Sequence, residues 1–355
     1  MNRHPLFHNF VSLLEEEGLD ALLLNTQANV SYAAGFHAPD SYAVISRKSV
    51  CVITDFRYTA DFRRAAGNRV TIREYKKSPF DTICEHIVKQ NIRKLGFESR
   101  YLSFAECEIL NRKLAKRTSF IPLAKTLEAL REIKSAVEIA RIRQAARITL
   151  KTLSFARQRL KPGTPEQAIA GDIERFVRLH GAESTAFETI VASGPNSSYP
   201  HARVSRRRLQ EGDPVIIDMG VEYEGYKCDL TRTFFLGKIN PIVQKAAEIV
   251  RQAQLLAIQT IKPGIAAKAV DAAARNYIAK QGFGKNFGHS LGHGVGLEVH
   301  EGPSLNKKNP ALLKPGMVFT VEPGIYLAGR FGIRMEETVL VTATGVEVIS
   351  ADNRN

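Results

Sequence analysis

Residues 215–234 read VIIDMGVEYEGYKCDLTRTF. An apolar strand, Val215-Ile216-Ile217, ends in Asp218, and the chain turns near Glu224-Gly225. It returns through Asp229 into Thr231-Arg232-Thr233-Phe234. Antiparallel pairing about that turn brings the two aspartates within a rung or two of each other. Two carboxylates that close, beside a buried strand, repel unless something neutralises them. A metal ion, an arginine or a shared proton would each serve. An exposed hairpin with acidic ends would need none of the three.

The pattern recurs. Gly212-Asp213-Pro214-Val215-Ile216-Ile217-Asp218 aligns with Gly316-Met317-Val318-Phe319-Thr320-Val321-Glu322, 104 residues later. The preceding segments echo each other too. From about Leu130, Ile133, Val137, Ala140 and Gln144 mark successive helical turns, with Ile139, Ile142 and Ala146 on the same face. This helix runs towards Leu160 and stops at Lys161-Pro162-Gly163. Thr164 is then expected as N-cap of a second helix, with Pro165 at its first position and Gln167 completing a capping box. About 101 residues on, a helical stretch from Pro241 stops at Lys262-Pro263-Gly264, and another starts at Ile265. Residues 130–350 therefore read as two related halves, each of helices followed by antiparallel strands, an α+β arrangement.

The second hairpin, GMVFTVEPGIYLAGRFGIRMEETVLV (316–341), repeats the chemistry of the first. Glu322 ends an apolar strand, Glu336 is placed on the returning strand, and Glu337 points to the opposite face. Between the hairpins lies GHSLGHGVGLEVHE (288–301), where His289, His293 and His300 sit among Gly288, Gly292, Gly294 and Gly296. A lone histidine is usually structural, but three among four glycines make a poor core. His201, in SYPHARVS (198–205), has the ordinary reading of an exposed loop histidine. Four carboxylates with one or two imidazoles form an oxygen-rich set. Such a set suits Mn, Co, Fe or Zn at a two-metal site better than a structural zinc. Two metals sharing a water can generate a hydroxide that attacks an acyl or a phosphoryl centre. Spacing does not choose between them.

The first 125 residues alternate between helix and strand: a helix to Glu17 stopped by Gly18, and strands at Ala21–Leu24, Tyr42–Ile45, Val50–Thr54 and Lys94–Glu98. Asp55, Arg57 and Tyr58 follow a strand and read as a strand-end ion pair before they read as a site. A length of 355 residues with 44% apolar content fits two domains with a sizeable core. The net charge of +14 is spread over both halves, and its densest run is Arg206-Arg207-Arg208, so it reads as solvated surface. The four cysteines, at 51, 84, 107 and 228, form no CxxC and fit free thiols in a reducing compartment. The N-terminal stretch lacks a long apolar segment, and no run approaches a membrane span. A cytoplasmic protein is expected.

Together these strings resemble the pita-bread metallopeptidases: aminopeptidase P, prolidase and methionine aminopeptidase, with creatinase as a metal-free relative. The resemblance covers essentially the whole chain, including LREIKSAVEIARIRQA (130–145). It implies a smaller α/β creatinase-like N-terminal domain, residues 1–126. An α+β pita-bread catalytic domain with a pseudo-twofold repeat, residues 127–355, follows. It implies that Asp218 holds one metal, that Asp229 and Glu336 bridge both, and that His293 and Glu322 complete the other. His300 would contact the substrate carbonyl, His201 would hold the substrate and its tetrahedral intermediate, and His289 would shuttle protons. Arg334 would pair with a ligand carboxylate, and Glu322 would accept the proton of the attacking water.

The implied cofactor is two divalent ions, manganese first, then cobalt, zinc or iron. The implied partners are peptides with proline at the second position and a second copy of the chain, with no nucleic acid and no membrane. The chain is most like a bacterial Xaa-Pro aminopeptidase, in which a metal-bridging hydroxide cleaves ahead of a penultimate proline. The alternative is an Xaa-Pro dipeptidase. Some prolidases carry an arginine four residues after the second catalytic histidine; Ser304 stands there, which tilts the expectation towards aminopeptidase. More distant readings are a pita-bread binding module without catalysis and a two-metal phosphoesterase.

Overall fold

Ala21–Leu24 (β1) is a run of four buried apolar residues, as expected of a strand covered on both faces. It lies inside a six-stranded sheet with Tyr42–Ser46 (β2), Val50–Thr54 (β3), Thr71–Glu74 (β4), Lys94–Glu98 (β5) and Ser119–Leu123 (β6), in the order β4-β3-β2-β1-β5-β6. The β1–β2 and β2–β3 pairs are antiparallel; β1–β5, β3–β4 and β5–β6 are parallel. The helix Phe7–Glu16 buries Phe7, Phe10, Leu13 and Leu14. Asp55 caps the helix Phe56–Ala66 by accepting from Arg57 N at 2.8 Å, and it pairs with the Arg57 guanidinium at 2.7 Å. The trio at 55–58 is thus a helix cap with an ion pair.

This computed structural model describes residues 7–351 apart from 115 and 125. The first six residues of the N-terminal stretch, and residue 125 beside the expected domain boundary, lie outside the described residues. The chain forms two compact units, Met1–Arg131 and Glu132–Asn355. Among the described residues no helix is long and apolar enough to cross a membrane.

In the second unit, Ser135 and Glu138 form a capping box that starts the helix Ala136–Arg159. Its buried face is Ile142, Ala145, Ala146, Ile148, Thr149, Leu153 and Ala156. Ile133, Val137 and Ala140, expected on that face, are exposed instead. Ile133 precedes the helix, and the true stripe follows Ile142 and its neighbours. The next helix, Glu166–Leu179, also departs from expectation: Pro165 is its N-cap, no side chain caps it, and Thr164 lies outside. Thr164 is committed elsewhere, since its carbonyl accepts from Leu209 N at 3.0 Å and Pro165 bridges to Arg208.

The predicted repeat is visible in the backbone. Gly163 N donates to Leu209 O, and Gly264 N to Leu313 O, both at 2.8 Å. The bridge Pro165–Arg208 has its counterpart in Ala266–Leu312. The second half contributes helices Pro241–Thr260 and Ala267–Lys280.

The strands of this unit begin with Ser184–Thr185 (β7), Ile190–Ser193 (β8) and Pro214–Met219 (β9). Val221–Tyr223 (β10), Tyr226–Lys227 (β11) and Leu230–Phe235 (β12) complete the first half. Gly292–Gly294 (β13), Glu301–Leu305 (β14) and Val318–Val321 (β15) open the second. Gly324–Leu327 (β16), Phe331–Arg334 (β17), Glu337–Val341 (β18) and Val346–Val348 (β19) follow. The first half gives the sheet β12-β9-β8 and the second β14-β13-β15-β18-β19. Each sheet packs on its own helix pair, around Ile169, Ile173, Val215 and Ile217 in one half and Val250, Val270, Phe319 and Val339 in the other. At about 1.5–3 kcal/mol for each large apolar side chain buried, these two cores set the rigidity of the strands that carry the acids.

Candidate metal centre

Antiparallel register places the first acidic pair. Asp218, at the end of β9, is opposite Thr231 of β12, and Asp229 lies two residues before Thr231 on the same face. Between them β10 and β11 form a hairpin whose turn, Glu224-Gly225, takes positive φ at both residues. The second pair sits where a ladder breaks. Val321 pairs with Glu337, and Gly324 pairs with Arg334. Glu322 and Glu336 occupy the gaps left on the two strands. Glu336 therefore lies between β17 and β18 rather than on a strand, because the chain changes sheets there. Its N–H donates across the halves to Thr231 O at 3.1 Å. Glu337 takes the opposite face and pairs with Arg232 at 2.7 Å.

His293 enters between Gly292 and Gly294. A Cβ at either glycine would fall 1.9 Å from a carbonyl oxygen, that of Thr320 or Gly302, so only glycine permits this approach. His293 Nδ1 faces the Gly294 carbonyl at 3.1 Å, which makes Nδ1 the protonated nitrogen. The lone pair of Nε2 is then turned towards Glu322 Oε1 at 3.4 Å and Asp229 Oδ2 at 3.6 Å. Asp229, His293 and Glu336 each offer a ligand atom within 4.8 Å of the others. Asp218 Oδ1, Asp229 Oδ1 and Glu336 Oε1 are buried without a hydrogen-bond partner among the described residues. Lone pairs facing lone pairs in a buried site need a cation between them, so the donor set fits divalent metal.

The electrostatics agree. Burial, then the charges of Asp218 and Glu322, hold the Asp229 carboxyl far above its usual range. Burial and the charge of Asp229 do the same to Glu336. Burial pushes Glu322 up to about 8, and His293 is pushed down to about 4 by burial and by His300. Carboxyls driven to hold protons and an imidazole driven to lose one are what a site shows when its counter-charge is a bound cation.

Arg334 is almost fully buried and ties the site together. It donates to Asp218 Oδ2 at 2.6 Å, Thr231 Oγ1 at 3.1 Å, Tyr326 OH at 2.8 Å and the Pro200 carbonyl at 3.1 Å. Thr231 Oγ1 in turn donates to Glu336 Oε2 at 2.7 Å. His289 Nδ1 faces the Ser290 carbonyl at 2.8 Å, so its Nε2 accepts from Tyr326 OH at 3.2 Å. Burial pushes His289 down to about 4.

The structure brings all the expected residues to one cavity of about 600 Å³. Asp218, Asp229, His293, Glu322 and Glu336 line it, with Arg334 behind them and His201, His289 and His300 in its wall. The His293 and His300 rings lie 4.2 Å apart.

Three participants were not anticipated. Tyr326 and Thr231 link Arg334 to the histidine and the carboxylates. Glu166, fully buried, accepts from Ser193 N and Oγ at 2.7 Å, from Asn196 Nδ2, and from Ser205 N and Oγ at 3.2 and 2.6 Å. It thereby holds both ends of the loop that carries His201.

The profile of metallopeptidase family M24 matches residues 140–343, and that of the creatinase/prolidase N-terminal domain matches residues 8–133. The Xaa-Pro dipeptidase of Pyrococcus horikoshii is 36% identical over 97% of this chain and 96% of its own. Among solved structures, an Xaa-Pro dipeptidase from Bacillus anthracis superposes with TM-score 0.93 at 35% identity, covering 99% of this chain and 98% of that one. An X-Pro aminopeptidase from Thermotoga maritima gives TM-score 0.89 at 35% identity, covering 95% and 97%. With its donor set, its duplicated hairpins and these matches, the chain belongs to metallopeptidase family M24 and carries the creatinase/prolidase N-terminal domain that precedes the catalytic fold.

Proposed function

We propose that this protein is an Xaa-Pro dipeptidase in which Asp218, Asp229, His293, Glu322 and Glu336 would hold two divalent cations. The observation that carries the metal assignment is the convergence of the His293 Nε2 lone pair with carboxylate oxygens of Asp229 and Glu322 at 3.6 and 3.4 Å. Manganese suits four carboxylates and one imidazole best, followed by cobalt, zinc and iron. When bound, the cations would polarise the scissile carbonyl and bring the pKa of a coordinated water towards neutrality.

The chain's own groups supply the rest. Glu322 accepts the proton of the attacking water. His300 and His201 present N–H donors to the substrate carbonyl and its tetrahedral successor. Burial lowers the His300 pKa, which keeps the ring a neutral donor. His289 is assigned a positioning role rather than proton transfer. Both its nitrogens are engaged, by Ser290 O and by Tyr326 OH, and through Tyr326 it orients Arg334 and Asp218.

The dipeptide substrate is supported by the Pyrococcus and Bacillus relatives named Xaa-Pro dipeptidase, each matched over at least 96% of both chains. This reverses the order of the two expectations from the sequence, which placed aminopeptidase first because of Ser304. Aminopeptidase remains the second reading, favoured by the Thermotoga relative and by Ser304 in the cavity wall. Hydrolysis of Ala-Pro beside Ala-Pro-Ala by the manganese-loaded protein decides between them: the dipeptide should be the better substrate, and preference for the tripeptide would reject the assignment.

A further inference from the structure

The loop from Pro200 to Ser205 is anchored at both ends by buried charges. Arg334 Nη1 holds the Pro200 carbonyl at 3.1 Å, and Glu166 holds Ser205. Between these anchors Arg203 lines the cavity, two residues from His201. Its guanidinium makes no hydrogen bond or ion pair with any of the described residues, Glu188 of the same wall included. Of the arginines that follow it, Arg206 does not line the cavity, Arg207 pairs with Asp213 at 2.6 Å, and Arg208 donates to the Gly163 carbonyl at 2.8 Å. Arg334, the other arginine of the wall, is committed to Asp218. Arg203 is thus the uncommitted arginine of an otherwise acidic cavity.

A dipeptide ending in proline presents a free carboxylate one residue beyond the scissile bond. Asp218, Asp229, Glu322 and Glu336 face the same space, so that carboxylate needs a cation of its own. Guanidinium is suited to the task, because its planar fork meets both carboxylate oxygens. Phe187, Pro200 and Val299 in the same wall offer apolar surface to the pyrrolidine ring.

We propose that Arg203 receives the free carboxylate of the dipeptide's proline and so sets the preference for dipeptides over longer or blocked peptides. The proposal rests on the dipeptidase reading. It is tested with the intact manganese-loaded enzyme, Ala-Pro and Ala-prolinamide as substrates, and the variants Arg203→Gln and Arg203→Lys. Wild type should prefer Ala-Pro about tenfold or more in kcat/KM, mainly through KM, as expected for a charge-assisted pair partly open to solvent. Arg203→Gln should bring the preference within about twofold, and Arg203→Lys should retain part of it. A wild-type preference that survives Arg203→Gln overturns the proposal while leaving the dipeptidase reading in place. A wild-type enzyme that cleaves Ala-Pro-Ala but neither two-residue substrate overturns both.

Discussion

Arg334 Nη2 donates to Asp218 Oδ2 at 2.6 Å, and the side chains are only 4% and 14% exposed. One oxygen of Asp218 is thereby fixed, and the other, Oδ1, is buried without a hydrogen-bond partner among the described residues and available as a ligand. Arg334 reaches four acceptors at once from a planar group, a geometry lysine cannot copy. Arg334→Lys should weaken metal binding by about 10- to 100-fold, the usual cost of losing a group that orients a ligand. Calorimetric titration with manganese measures this; affinity equal to wild type would show that Asp218 is positioned without Arg334.

Glu166 bonds to Ser193, Asn196 and Ser205 and touches none of the proposed ligands. Glu166→Gln should therefore raise KM by loosening the loop of His201, and lower stability by about 2–4 kcal/mol as charge-assisted bonds are lost. Substrate titration and urea denaturation report the two effects. An unaltered KM in a destabilised variant would assign Glu166 to folding alone.

Lys134 Nζ and Glu301 Oε1 lie 3.3 Å apart with side chains 1% and 2% exposed, and Glu301 directly follows His300. Lys134→Met removes a buried positive charge from beside Glu301 and should cost about 3–5 kcal/mol. Adding Glu301→Met should recover much of that loss. Melting temperatures of the single and double variants check it, and a double variant no more stable than the single would refute the pairing.

The metal-free protein should lose stability as pH rises. Glu322 is pushed up to about 8 from an unfolded value of 4.5, so the folded state binds the extra proton across that window. The cost is absent below pH 4.5, grows through the window, and is complete above about pH 8. His289 acts at the other end. Pushed down to about 4 from 6.5, it withdraws stability as pH falls from 6.5 towards 4. Melting metal-free and manganese-loaded protein at pH 6 and pH 8.5 should show stabilisation by metal that is larger at pH 8.5. Equal stabilisation at both would argue that the carboxylates ionise freely without metal.

Much of this was legible in the chain because it is locally written. Val215–Asp218 and Val318–Glu322 announce apolar strands ending in acids, and the glycines around His293 announce close backbone approach. The helix boundaries were less so. Thr164 does not cap the helix because residues 163–165 are paired with 208–209, and no local capping rule contains that pairing. Ile133 and Val137 follow the helical periodicity yet lie exposed, because periodicity marks a stripe without saying which neighbouring stripe is covered. The roles of Tyr326, Thr231 and Glu166 depend on partners 8 to 105 residues distant, and a tyrosine, a threonine and a helix-starting glutamate carry no mark of them. The choice between dipeptide and longer peptide turns on single side chains in the cavity wall, where Ser304 points one way and the relatives named Xaa-Pro dipeptidase point the other.

If the five converging side chains work through divalent metal on an Xaa-Pro bond, hydrolysis and metal occupancy must rise and fall together. The most direct measurement strips the protein with chelator, titrates manganese back, and follows Ala-Pro hydrolysis and metal binding together. Activity should be absent in the stripped protein and return as two equivalents bind, with Asp229→Asn abolishing both. Hydrolysis that persists after complete metal removal, or full metal occupancy without cleavage of any Xaa-Pro substrate, would contradict the account.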